Sequence, residues 1–280
     1  MRFRRIASLA VMAAILGSGQ AMSADPDTRR PSATTTPTVA TSTVAPVADF
    51  DALIDEVAVT MLGRSPQNVT DLGLSALLGQ RDDRLDDLSR SFRLETARLA
   101  QQSLDRMAMV DPDALTDDQR ITHAITEWYL RDIVTMSDYL DHEYAVSYIT
   151  GAHAEFPEFM ADVHPVTNAT QAEAYVERLR ALAVQLQQVE ANLSRSQRQG
   201  VLPTPTGIGI AAWQIEGQLR SPTSHPLVTD LEVRLAPLDL TAQERKRIIE
   251  DARAVMGSDV LPAYRDLLAV VAATSLRPDS

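Results

Sequence analysis

Along most of the chain the apolar residues return every three to four positions. Phe50, Leu53, Ile54, Val57 and Met61 repeat at i, i+3, i+4, i+7 and i+11 behind Asp49, whose carboxylate can cap a helix start. Ser65-Pro66 is a second start signal, a capping hydroxyl before a proline at the first helical position, and Gly73 can close that short helix. Ser89 can cap a third helix running to about Val110, with a less regular face of Leu99, Ala100, Leu104 and Met107. Thr116-Asp117-Asp118-Gln119 is a capping box, and it opens a helix whose predicted stripe is Ile121, Ile125, Tyr129, Ile133, Met136 and Leu140.

The clearest period is Tyr175, Leu179, Leu182, Leu186, Val189 and Leu193, an alternating seam on a helix expected from about Thr170 to Gln199 and ended by Gly200. The seam is too short for a stable dimeric coiled coil, so packing within the same chain is expected. A second capping box, Thr241-Ala242-Gln243-Glu244, precedes Ile248, Ala252, Val255 and Met256. A last helix carries Val260, Leu261, Tyr264, Leu267, Leu268 and Val271. Ala145–Thr150 is the one short candidate for a strand, and no internal repeat is visible. The expected fold is all-α, an array of about seven helices forming one helical domain over residues 49–280.

Before that domain the pattern changes. Arg2, Arg4 and Arg5 precede an apolar run from Ile6 to Leu16 and a small-residue exit through Ala21 and Ala24, the layout of a secretory signal peptide over residues 1–24. The apolar run is too short to span a bilayer, so cleavage is expected, after Ala21, Ser23 or Ala24. Residues 25–48 are rich in Ser, Thr, Ala and Val with Pro26, Pro31, Pro37 and Pro46, and read as a disordered tether. The expected location is periplasmic or secreted.

Charge and cysteine content then exclude several functions. The formal net charge is −12, and loss of the three signal arginines takes it from −12 to −15, so nucleic acid and anionic membranes are poor partners. The chain has no cysteine, which removes disulfides, thiol catalysis, Cys-ligated zinc and a Cys-borne lipid anchor. Aromatic residues make up only 5%, so the core should be aliphatic.

The densest candidate chemistry lies between Asp138 and His164. His142, His153 and His164 occur there among Asp138, Asp141, Glu143, Glu155, Glu158 and Asp162, side chains that zinc accepts. Helical zinc sites want ligands at i and i+4, which no His pair here provides. His153-Ala154-Glu155 echoes the H-x-E of zinc deaminases, whose P-C-x-x-C is missing. The competing reading is a solvated junction between two long helices with ordinary histidines.

Other patterns are weaker. Asp82-Asp83-Arg84-Leu85-Asp86-Asp87 lacks the spacing of a calcium loop and reads as a charged surface turn. Gly207-Ile208-Gly209 has no preceding strand, and Gly73-Leu74-Ser75-Ala76-Leu77 lacks the second glycine of a nucleophile elbow. Trp128 and Trp213 read as core residues or cleft walls.

The order of several short motifs is informative where each alone is not. Phe50-Asp51-Ala52-Leu53-Ile54-Asp55, Ser65-Pro66 with Leu72-Gly73, Asp83-Arg84-Leu85 with Asp87-Leu88-Ser89, Leu115-Thr116, Gly151-Ala152-His153 with Phe156-Pro157, and Leu261-Pro262-Ala263-Tyr264 follow one another along the chain. This succession resembles the bacterial domain-of-unknown-function family 885, whose members look like zincin-type zinc metallopeptidases. The resemblance implies an N-terminal half, because the family's zinc motif, of His-Glu-x-x-Pro-Gly-His type, belongs to a second half. This chain contains no H-E-x-x-H, and its His-Glu pair, His142-Glu143, is followed by Tyr144, Ala145 and Val146.

No catalytic residue or bound cofactor is therefore carried over, and zinc is expected only in full-length relatives. His142, His153 and His164 remain the metal candidates by composition alone. The resemblance implies that Gly151, His153, Phe156 and Pro157 lie beside a substrate cleft. The expected role is an exported helical scaffold and cleft wall, inactive alone; a stand-alone periplasmic binding or interaction module is the alternative. Expected partners are a peptide-like ligand and a separately encoded catalytic half. Self-association through residues 248–273 is a third expectation, because Val260–Ala273 is apolar on more than one face.

Overall fold

The structure is a computed structural model describing residues 49–275. The expected signal peptide (1–24) and tether (25–48) lie outside the described residues. The helices in chain order are α1 (Phe50–Leu62), α2 (Pro66–Asp71), α3 (Arg90–Met107), α4 (Asp117–Met136), α5 (Ala152–Glu158), α6 (Ala169–Arg198), α7 (Pro205–Gly217), α8 (Pro226–Leu235), α9 (Ala242–Val255) and α10 (Leu261–Ser275). Short 3-10 turns cover Pro112–Ala114 and Ser137–His142, and π-helical turns cover Phe159–Val163 and Met256–Val260. Among the described residues there is no strand; Ala145–Thr150 is a looped segment in which Ser147 N donates to Thr150 O over 3.2 Å.

Caps explain most of the boundaries. Asp49 Oδ1 accepts from Ala52 N at 3.2 Å, Ser89 Oγ accepts from Phe92 N at 3.3 Å, and both capping boxes are closed in both directions. Ser65 behaves differently. Its hydroxyl donates to Asp86 Oδ2 at 2.7 Å, which leaves the fixed φ of Pro66 to start α2. Gly73 (φ 65°) and Gly200 (φ 76°) end α2 and α6, each followed by a bond back across the turn, Leu74 N to Val69 O and Val201 N to Ser196 O, both 2.9 Å.

The all-α class is as expected, and among the described residues α5, α7 and α8 add to the seven helices that the apolar period predicts. Thr204-Pro205 and His225-Pro226 repeat the cap-then-proline signal of Ser65-Pro66, with Gly207 N donating to Thr204 Oγ1 and Leu227 N to His225 Nδ1, both at 3.2 Å.

Helix α6 is the axis of the larger core. Tyr175, Leu179, Leu182, Leu186, Val189 and Leu193 are all at most 2% exposed, and α5, α9 and α10 pack against this helix while α7 packs on α10. Burial of each such side chain contributes about 1.5–3 kcal/mol, so this seam dominates the stability of the layer. A second core belongs to α1, α3 and α4, where Phe50, Leu53, Ile54, Val57 and Met61 meet Ala100, Met107, Leu115 and Leu130.

Three expectations need correction. Helix α4 is rotated from its predicted stripe: Ile121 and Met136 are exposed, Ile125, Tyr129 and Ile133 are half-buried, and Thr126 and Leu130 are the buried pair. Docking on α3 selects that face, although the other is as apolar in sequence. Trp128 and Trp213 are not core residues, being 60% and 73% exposed. The broad apolar face of Val260–Ala273 is covered within the chain, with Val260, Leu261, Tyr264, Leu267 and Val271 buried in the larger core. The uncovered surface expected for self-association through residues 248–273 is therefore not found there.

A polar stripe on α6 runs beside the larger core and holds the segment 84–88. Arg178 Nε donates to Arg84 O (3.0 Å), Gln185 Nε2 to Asp86 O (2.9 Å) and Asn192 Nδ2 to Leu88 O (2.8 Å), while Leu88 N donates to Gln188 Oε1 (2.7 Å). The segment expected to be a charged surface turn thus lies along α6, and Leu85 is buried in the larger core.

Candidate functional site

Gly151 precedes α5 with φ 127°, a conformation that disfavours any side chain. A Cβ there would also lie 3.0 Å from His153 Nδ1 and 3.4 Å from Ala145 O. The glycine therefore lets loop 145–150 close over the His153 ring. His153 is fully buried, and neither ring nitrogen has a hydrogen-bond partner. Burial holds its pKa below the ordinary histidine value; the Gln214 side chain and the Ser147 backbone face the ring and act weakly the other way. Gln214 Nε2 donates instead to Tyr148 O at 3.1 Å, and its Oε1 is buried without a partner.

Phe156 is 1% exposed and belongs to the larger core, so it lines no open cleft. Pro157 is half-buried inside α5, where it cannot donate to the carbonyl one turn back, and the helix passes directly into the π turn Phe159–Val163. A groove of about 290 Å³ lies between α3 and α4, lined by Gln101, Leu104, Asp105, Glu127, Arg131 and Val134, none of them a cleft candidate.

The three candidate metal histidines do not converge. His142 is exposed at the end of a 3-10 turn and meets the Tyr139 ring edge-on at 6.0 Å. His153 sits under loop 145–150. His164 is 1% exposed, and both of its nitrogens are engaged, Nδ1 by Arg178 Nη1 at 2.7 Å and Nε2 by Gln171 O at 3.0 Å. Among the described residues no group of three or more His, Asp or Glu side chains is arranged to hold a metal ion. The zinc that the family resemblance implies does not fit these residues. The alternative of a solvated junction fails too, since two of the three histidines are buried.

The structure shows a different polar centre, around Arg178. This side chain is wholly buried, with Nη2 donating to Thr70 Oγ1 (2.5 Å) and the guanidinium 4.8 Å from the centre of the Phe159 ring. Burial lowers its pKa to about 10 against the charges of Asp82, Asp83 and Asp86, so it stays cationic at neutral pH. Asp82 Oδ1 accepts from Thr70 Oγ1 (2.8 Å) and Ser75 Oγ (2.5 Å). Arg234 closes the far side, donating to Met160 O (2.8 Å) and to His164 O. Arg178 and His164 are wholly buried and Asp82, Ser75 and Arg234 half-buried, and together they clamp α2, α6, α8 and the loop carrying Arg84. The one sequence signal for it is the heptad spacing of Arg178, Gln185 and Asn192 beside the apolar seam.

The outward surface next to Gly151 carries exposed apolar side chains. Tyr144, Tyr148 and Ile149 are 54%, 48% and 68% exposed on the loop before α5, with Trp213 exposed on neighbouring α7. A Cβ on Gly207 would sit 3.5 Å from the Tyr148 ring, an ordinary van der Waals contact, so loop and helix lie against each other here.

No curated protein matches this chain. Among solved structures, the crystal structure of the "putative lipoprotein from Colwellia psychrerythraea" aligns with a TM-score of 0.64 at 18% identity, covering 80% of this chain and 41% of that one. The likeness shows a shared fold, and this chain spans about two-fifths of the length of that relative. Residues 66–279 match the pattern of the family described as bacterial proteins of unknown function, DUF885, and the chain belongs to that family.

Proposed function

We propose that this chain is the exported helical scaffold and cleft wall of a zinc-metallopeptidase-like protein, without a catalytic zinc motif of its own and inactive alone. The observation that carries this reading is the asymmetry of the match to the longer solved structure: four-fifths of this fold against two-fifths of that one. The missing H-E-x-x-H and the scattered histidines supply no chemistry of their own. Export is supported by the basic, apolar, small-residue order of residues 1–24 and by the description of the solved relative as a lipoprotein. The ligand class is peptide-like.

The purified chain, dialysed against metal-free buffer, is expected to retain no stoichiometric zinc and to cleave no peptide in a mixed library. Activity is expected on adding the polypeptide equivalent to the rest of the longer relative. Stoichiometric zinc, lost together with an activity in His153→Ala and His164→Ala, would overturn this reading. One observation favours a second reading, a self-contained binding module: the apolar side of α10 is covered within the chain. Peptide binding by the isolated chain, with no activity gained on mixing, would select it.

A further inference from the structure

Helix α7 is apolar on nearly every side, with Gln214 and Glu216 its only polar residues between Gly207 and Gly217. A helix of that composition belongs inside a protein. Here one side alone is covered: Gly207, Ile208, Ala211 and Ile215 are buried, while Ile210 and Trp213 face outward. The adjoining loop adds Tyr144, Tyr148 and Ile149, and the Gln214–Tyr148 hydrogen bond and the Tyr148–Gly207 contact join loop and helix. Single exposed apolar residues are ordinary, but a cluster of large ones on two joined segments marks a contact surface.

The place of this surface in the fold names its occupant. Gln197 Nε2 donates to Thr274 Oγ1, and Ser196 Oγ donates to Glu143 O at 3.1 Å. Thr274, near the end of the described residues, therefore lies at the same end of α6 as the Tyr144–Ile149 loop. The solved relative carries further chain outside the matched two-fifths, and any chain running on from α10 would emerge beside this surface. We propose that the face built by the Tyr144–Ile149 loop and the outer side of α7 is the docking surface for the second half of the protein, a polypeptide presenting a complementary apolar patch. The proposal rests on the reading of the chain as one half of a longer architecture, and it places the contact away from residues 248–273.

The test is to co-express the full chain with a tagged polypeptide equivalent to the part of the longer relative that this chain does not match, produced as a separate chain. The expected result is a one-to-one complex in which Trp213 fluorescence, isolated in a Trp128→Phe background, shifts to the blue and resists acrylamide. Trp213→Glu and Ile149→Glu should each weaken association by at least about tenfold. Both side chains are mostly in solvent, so the circular dichroism and Tm of the free chain should not move. An active complex indifferent to both substitutions would overturn the docking face and leave the scaffold reading standing. Absence of any complex would overturn both. A dimer of the chain itself, dissolved by Trp213→Glu, would make a second copy the occupant and overturn the proposal.

Discussion

Arg178 Nη1 donates to His164 Nδ1 across 2.7 Å inside the fold, where the two side chains are 0% and 1% exposed. A cation donating to an imidazole nitrogen requires that nitrogen to be unprotonated, and Nε2 must then be the donor to Gln171 O. The pair fixes both the tautomer and the charge of His164.

Stability should consequently fall in mild acid. Burial, reinforced by the Arg178 and Arg234 charges, lowers His164 from 6.5 to about 4, so the unfolded chain binds the proton first. The contribution is complete above about pH 6.5 and is lost as pH falls from there towards 4, a change of roughly 3 kcal/mol. His153 and His225, also lowered chiefly by burial, act in the same sense. Asp86, whose carboxyl burial raises, opposes the loss at the acid end. Urea midpoints at pH 7, 5.5 and 4.5 should show the decline, with a shallower slope in His164→Gln; equal slopes would refute the assignment.

Arg178→Ala should cost about 3–5 kcal/mol, because it strands Asp82 and Asp86 near a buried, emptied centre. Arg178→Lys keeps the charge but cannot serve Arg84 O, Thr70 and His164 together, and should fall between the two. Chemical denaturation reads both.

Gly151→Ala should destabilise by about 1–3 kcal/mol through its backbone conformation and its approach to the His153 ring. Adding His153→Ala should recover the steric part alone. Strict additivity in the double variant would show that the ring takes no part.

The rotation of α4 is also measurable. Leu130→Ala should cost about 2–5 kcal/mol, whereas Ile121→Ala should stay within about 0.5 kcal/mol despite its place in the apparent stripe. The opposite ranking would return α4 to the face its sequence suggests.

Local signals were the readable ones. The seam of α6, the two capping boxes, Asp49 and Ser89 act through neighbours a turn away, so spacing alone exposes them. Helices α7 and α8 hid behind their prolines, which read as breaks until Thr204 and His225 are seen as caps. The Arg178 centre was illegible because its partners Arg84 and Thr70 stand 94 and 108 residues upstream. The burial of Phe156 and His153 is not legible in the sequence, since inward and outward cannot be told apart on a seven-residue helix.

The polar stripe of α6 has an evolutionary consequence. Arg178, Gln185, Gln188 and Asn192 grip mainly the peptide groups of Arg84, Asp86 and Leu88 rather than their side chains. Peptide groups are the same in every residue, so exchange at position 84 or 88 leaves the grip intact, while exchange at 178, 185 or 192 removes it. Drift among homologues should be lopsided across this one contact, with the helix side nearly frozen and the strap side freest at Arg84, since Leu85 and Leu88 pack on the larger core and the carboxylates of Asp86 and Asp87 accept hydrogen bonds of their own.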